Sequence, residues 1–192
     1  MKVTLVPALS FDFVNNLFQY YIYDMSEYTG WAPFTNGTFA VVDSVTMLSD
    51  YWHKAGHYPY LIMAGEEVAG FSLIRNYPQL VNTYDMGQFF VLRKFKRQGI
   101  GEAAFKLSVQ AHPGKWLVRV LGDNLAAKSF WNRVISEVAN GEIRFANEVY
   151  KQLEMQFIYF EVAVLHAENM ASYIQNPAHV RANLCAVTDY GL

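Results

Sequence analysis

The chain has 192 residues, with 15 Lys and Arg against 17 Asp and Glu and a formal net charge of -2, so its overall charge gives no reason to expect nucleic acid as a partner. Apolar residues make up 53% and aromatic ones 16%, which excludes disorder and indicates one domain with a sizeable aromatic-rich core. The lone cysteine, Cys185, excludes an internal disulfide and suits a reducing compartment. No apolar run reaches membrane-spanning length, and Met1 to Leu9, broken by Pro7, is too short for a secretory signal. The expectation is a soluble cytoplasmic protein that uses neither membrane nor nucleic acid.

Residues 2 to 6 read as a strand. Ser10 then caps a helix carrying Phe11, Val14, Leu17, Phe18, Tyr21 and Met25 on a broad apolar face. The following loop, Thr29 to Gly37, is rich in chain breakers yet holds Trp31 and Phe34, as a lid would. A short helix near Val45 to His53 leads into two strands, Tyr58 to Ala64 and Val68 to Arg75, joined as a hairpin by Gly65-Glu66-Glu67. His53 and His57 are four apart, but Gly56 and Pro59 argue against one continuous helix there. With no third ligand in view, they read as surface or cleft-edge histidines, and no metal is expected.

The next strand, Tyr84 to Leu92, ends in the run Phe89 to Leu92, as expected of a strand covered on both faces. Behind it Arg93, Lys94, Lys96 and Arg97 place four positive charges within five residues, beside Gly99 and Gly101. Ile100, Ala103, Ala104, Leu107 and Ala111 then mark the buried face of a helix that Pro113 and Gly114 end. Bare N–H groups in the first turn of such a helix converge on a point that attracts anions, and a pyrophosphate fits it. Two commoner phosphate loops are excluded: Gly101 is followed by Glu102 rather than Lys and Ser or Thr, and no third glycine completes a dinucleotide fingerprint. Lys115 to Leu121 is a further strand, and Asn124 to about Glu137 a second major helix, with Asn124 suited to its N-cap. After a turn at Asn140-Gly141, two strands are expected within Ile143 to Glu154 and Gln156 to Leu165.

Two blocks carry a resemblance. Lys96-Arg97-Gln98-Gly99-Ile100-Gly101 resembles the Arg/Gln-x-x-Gly-x-Gly/Ala motif of the GNAT superfamily of acyl-CoA-dependent N-acyltransferases, with Lys96 where Arg or Gln is usual. Asn124-Leu125-Ala126-Ala127-Lys128-Ser129-Phe130-Trp131 is similar to that family's Asn-x-x-Ala-x-x-Phe-Tyr segment, with Trp131 in place of Tyr. The close match covers about residues 58 to 138. It implies an α/β fold of the GNAT type: a mixed, strongly twisted central sheet with helices on both faces, spanning residues 1–165. Residues 166–192 form an extension without an assigned role, and a homodimer is left open.

The resemblance also implies that the strands ending near Leu92 and starting near Lys115 splay apart. The pantetheine arm of acetyl-CoA, the co-substrate, would enter the opening and bond to backbone around Phe90, Val91 and Leu92. Its pyrophosphate would reach the amides of Arg97, Gln98, Gly99, Ile100, Gly101 and Glu102, with Asn124 and Trp131 along the arm. Tyr20 to Trp31 would border the acceptor cleft. A primary amine of a small molecule or of a protein would attack the thioester directly, with a backbone N–H near Val91 receiving the oxyanion. Asp85 could accept the amine proton or be only a solvated residue at a strand start, while Gln88, which cannot act as a base, would orient the acceptor. A domain that binds acyl-CoA without turnover is the alternative, which the change to Trp131 keeps open.

Overall fold

Seven strands form one sheet in the order β1-β2-β3-β4-β5-β7-β6. They are β1 (Val3–Pro7), β2 (His57–Ala64), β3 (Glu67–Asn76), β4 (Thr83–Val91), β5 (Gly114–Leu121), β6 (Arg144–Tyr150) and β7 (Leu153–Val162). The helices are α1 (Phe11–Thr29), α2 (Asp50–His53), α3 (Ile100–Ala111) and α4 (Leu125–Ser136). The computed structural model describes residues 1–39 and 47–163; the expected helix start at Val45, the end of the last strand at Leu165, Cys185 and the extension 166–192 lie outside them. Every strand pairing is antiparallel except that of β4 with β5, so the mixed α/β sheet expected from sequence is the one observed.

Alternation along the strands sends side chains to two separate cores. On one face α3 and α4 pack through Ala104, Phe105, Val109, Val134 and Ile135 against Ile62, Ile74, Trp116, Val118 and Ile158. On the other face α1 and α2 pack through Val14, Phe18, Ile22 and Tyr51 against Leu61, Phe71, Leu73 and Phe90. Ser10 caps α1 by accepting a hydrogen bond from the Phe13 N–H (3.2 Å). Gly30 ends the helix in the left-handed region (φ 69°), donating its N–H to Ser26 O, where a residue with a Cβ would be strained. No helix among the described residues is long and apolar enough to cross a membrane.

One local expectation needs correction. The break between the last two strands falls at Lys151 and Gln152, not at Met155: both have positive φ (49° and 68°), as a two-residue hairpin turn of right-handed twist requires. As Gly56 and Pro59 led one to expect, His53 and His57 do not share a helix: α2 ends at His53 and His57 opens β2. Among the described residues no group of three or more His, Cys, Asp or Glu could hold a metal ion.

His112, at the end of α3, is buried among tyrosines, with its ring 4.4 Å from Tyr58 and 5.1 Å from Tyr84 and its Nε2 2.9 Å from the Tyr60 hydroxyl. Burial pushes its pKa down to about 4. Above pH ~6.5 the imidazole is neutral in both folded and unfolded chains and contributes no pH dependence. As pH falls from there toward 4, the unfolded chain takes up a proton that the folded chain refuses, so stability declines by up to roughly 3 kcal/mol. The melting temperature should therefore fall across this window more steeply for the wild type than for His112→Gln, as calorimetry at stepped pH would record.

Candidate active site

β4 and β5 pair over three residues only, Thr83 with Lys115, Tyr84 with Trp116 and Asp85 with Leu117. Beyond Asp85 the two strands part. The register of β4 against β3 shifts at the same place, from Ile74 opposite Met86 to Leu73 opposite Gln88, which leaves Gly87 as an extra residue that bends β4. A Cβ at Gly87 would lie 1.9 Å from the Tyr51 hydroxyl oxygen, so glycine lets α2 close on the bulge. The Leu92 N–H donates to Ala69 O in β3 (2.8 Å). Because backbone groups alternate in direction along a strand, the Val91 N–H faces the opening.

The opening belongs to a cavity of about 1280 Å³ that runs from the start of α3 to the underside of α1. Toward the start of α3 lie Lys96, Arg97, Gly99, Gly101, Glu102, Asn124 and Trp131; toward the buried middle of the sheet, Tyr21, Tyr51, Arg75, Gln88, Arg119 and Tyr150; and Asp24, Glu27 and Trp31 line it from α1 and the loop behind it. Gly99 precedes α3 with φ 77°, and the first backbone bond of the helix runs from Ala103 N to Gly99 O (3.0 Å). The N–H groups of Ile100, Gly101 and Glu102 therefore have no acceptor within the helix, and an anion there would meet them and the positive end of the helix dipole.

Most of the neighbouring cations are already answered. Asp24 of α1 holds Arg93 (2.9 Å) and Lys96 (2.7 Å), and Lys94 pairs with Glu67. Glu102 accepts from Lys106 (2.8 Å) and Arg133 (2.6 Å), which hold its carboxyl down to about 2. Arg97 is the cation of this loop that makes no ion pair among the described residues, and it lines the cavity from a left-handed backbone (φ 62°).

The part of the cavity inside the sheet has a different character. Asp85 is fully buried and accepts from Arg75 Nε (2.8 Å), Arg119 Nη2 (2.6 Å) and Arg119 Nε (3.2 Å). Burial alone would push both guanidiniums down, but the carboxylate outweighs it and holds them above the ordinary arginine value. Arg119 also lies over the Tyr150 ring, 4.4 Å from its centroid. Burial would push the Tyr150 phenol up; Arg119 and Arg75 prevail and lower it. Tyr21, by contrast, is pushed up to about 12 by burial, so near neutrality it is an uncharged donor.

A family model described as the acetyltransferase (GNAT) family matches residues 20–135, a span that includes the second half of α1, the parted strands and the glycine turn. The chain belongs to the GNAT acetyltransferase family. Solved structures agree on the fold. A GNAT acetyltransferase from Staphylococcus aureus Mu50 has a TM-score of 0.59 at 11% identity, covering 84% of this chain and 100% of that one. A Bacillus subtilis acetyltransferase solved in complex with CoA has a TM-score of 0.53 at 11% identity, over 84% and 100%. The Vibrio cholerae spermidine N-acetyltransferase, solved with CoA and spermine, has a TM-score of 0.56 at 10% identity, over 83% and 95%. A search of curated proteins returned no match.

Within this GNAT domain the structure gathers Gln88, Phe90, Val91, Lys96, Arg97, Gly99, Gly101, Glu102, Asn124 and Trp131 around one cavity. It does not bring the other sequence-predicted residues to the wall. Leu92 spends its N–H on β3, Ile100 buries its side chain in the core and offers only its N–H, and the Gln98 side chain is exposed and donates to Lys94 O. Asn124 caps α4 by accepting from the Ala127 N–H (2.9 Å). Trp131 is only 8% exposed, packed on Phe89, Phe105 and Phe130.

Asp85 is the main surprise: it is neither solvated nor at the cavity wall, since both oxygens are bound by arginines. Sequence reading passed over Arg75, Arg119, Tyr51 and Tyr150. A charge inside an apolar strand, as in Val118-Arg119-Val120, was the available signal. Asp85→Asn, which removes the one anion between two buried cations, should destabilise the protein by about 3–5 kcal/mol, measured as a shift of the urea midpoint.

Proposed function

We propose that the protein is an N-acetyltransferase that moves the acetyl group of acetyl-CoA to a primary amine. The observation that carries this reading is the parting of β4 and β5 directly beside the bare N–H groups that open α3. The pantetheine arm would lie in the gap along Phe90 and Val91, past Asn124 and Trp131. The pyrophosphate would sit on the turn from Arg97 to Glu102, held mainly by backbone. CoA in the Bacillus subtilis and Vibrio cholerae structures supports the same cofactor here.

The amine nitrogen attacks the thioester carbonyl carbon. The C–S bond breaks, the thiolate leaves with the electron pair, and the proton lost by the amine passes to water. Val91 N–H would receive the developing oxyanion. Gln88 would orient the acceptor, and Asp85 acts as a positioning residue through Arg75 and Arg119, its lone pairs being already committed to them. Trp131 offers an indole N–H, which is a donor but not a usable acid. A thiol of the cysteine kind ionises near about 8.5, so its thiolate can leave without one.

CoA should raise the melting temperature, since a ligand that binds only the folded state stabilises it by mass action. Gly101→Glu is the sharp control. A Cβ there meets Phe130 at 3.5 Å and Val91 at 3.6 Å, ordinary contacts, so the variant should fold while its carboxylate repels the pyrophosphate and abolishes the shift. A shift retained in Gly101→Glu would remove the phosphate from the turn.

Trp131→Phe should raise the KM for acetyl-CoA more than it lowers kcat, because it removes packing rather than chemistry. Steady-state release of free thiol measures both constants. CoA binding with no thiol release from a broad amine panel would instead mark the protein as a binder of acyl-CoA without turnover.

A further inference from the structure

We propose that the acceptor amine carries a carboxylate, and that this group docks on Arg75 and Arg119. The inference rests on the transferase reading and adds a substrate class to it. Both guanidiniums line the acceptor end of the cavity, while Asp85, which they share, does not. Their side chains are 11% and 8% exposed and that of Asp85 is 0%, so two cations and one anion are withdrawn from water together. One positive charge is left over in surroundings where charges are weakly screened.

Donors not committed to Asp85 remain as well, one of them on Arg75 shared with the Tyr150 hydroxyl. Asp85 takes Nε of Arg75 and both Nε and Nη2 of Arg119, which leaves both Nη groups of Arg75 and Nη1 of Arg119 without a share in that carboxylate. A planar guanidinium fork matches a carboxylate better than any other side chain does. Arg119 lies 4.4 Å from the centroid of the Tyr150 ring at the cavity wall, and there Arg119 and Arg75 outweigh burial and lower the pKa of the phenol.

The other acids of the cavity do not offset it. Asp24 is held by Arg93 and Lys96, Glu102 by Lys106 and Arg133, and Glu27 stands exposed on α1, where water screens it and its charge acts on Arg93. A polycation would meet like charge at the end where it must dock. An amino carboxylate would bring the missing anion and present its amine toward Gln88 and the parted strands. Arg119 lies two residues beyond the last β4–β5 pair, Asp85 with Leu117, so the docking point adjoins the place where the gap opens.

The test compares acceptors with and without that charge, at a pH where the amines of both are largely neutral: glycine with glycinamide, β-alanine with its amide and phenylalanine with phenylalaninamide, with spermidine as the polycation. Thiol release from acetyl-CoA is followed for each. Binding is read separately as the melting shift that N-acetylphenylalanine, or its amide, adds to the CoA-bound protein. At least one acid should exceed its amide by roughly ten- to hundredfold in kcat/KM, and spermidine should be poor.

Arg75→Gln leaves Asp85 paired with Arg119, and should erase the preference for the acid while keeping the CoA-induced shift. Arg75→Lys should keep part of it. Should Arg75→Gln not fold, the acid–amide comparison on the wild type decides alone. Amides or spermidine turned over as well as the acids would overturn the inference and leave the transferase reading standing. So would acids that are neither acetylated nor, as their acetylated products, stabilising. Failure of CoA itself to bind would remove both.

Discussion

The ion cluster of Asp85 with Arg75 and Arg119 stands where β4 and β5 stop pairing, and the layout of the site depends on it. Arg75 and Asp85 are register partners on β3 and β4, and Arg119 projects from β5 on the same face. Burying three charged groups costs several kcal/mol for each before any attraction is gained. The geometry offsets this by giving Asp85 three N–H donors within hydrogen-bonding distance. The cluster thus ties three neighbouring strands together at the last point where β4 and β5 touch. Beyond it the bulge at Gly87 turns β4 away, and its free edge faces the cavity instead of a neighbouring strand.

The two ends of the cavity present their hydrogen-bond donors by different means. At the start of α3 the donors are backbone N–H groups, fixed by the fold, while the adjacent side-chain cations Arg93, Lys94 and Lys96 are occupied by Asp24 and Glu67. Such exposed pairs contribute little stability and are screened by salt. They do hold the loop against α1 and β3, leaving Arg97 to reach the cavity. At the acceptor end the donors are side chains, buried and mutually locked, so their position is set by packing rather than by a turn.

Much of the fold was legible in the residues. Apolar spacing marked α1 and α3, Gly65-Glu66-Glu67 marked the hairpin, and the glycine and asparagine blocks marked one end of the cavity, because each of these is a local feature of the chain. The turn at Lys151-Gln152 was not legible, since neither residue is a usual occupant of left-handed backbone. Nor was the state of Asp85. A carboxylate near a strand start reads as solvated, and its two partners come from positions 75 and 119, too distant in sequence for any spacing rule.

Local sequence by itself determined the strands, the capped helices and the phosphate-attracting turn, because dihedral preference, apolar periodicity and bare helix N–H groups act over a few residues. Tertiary structure alone decided where β4 leaves β5, which of the clustered cations remain free, and that two arginines share one carboxylate inside the cleft. Those outcomes depend on distances between strands far apart in the chain, and on which charges lose their water when the sheet and helices close.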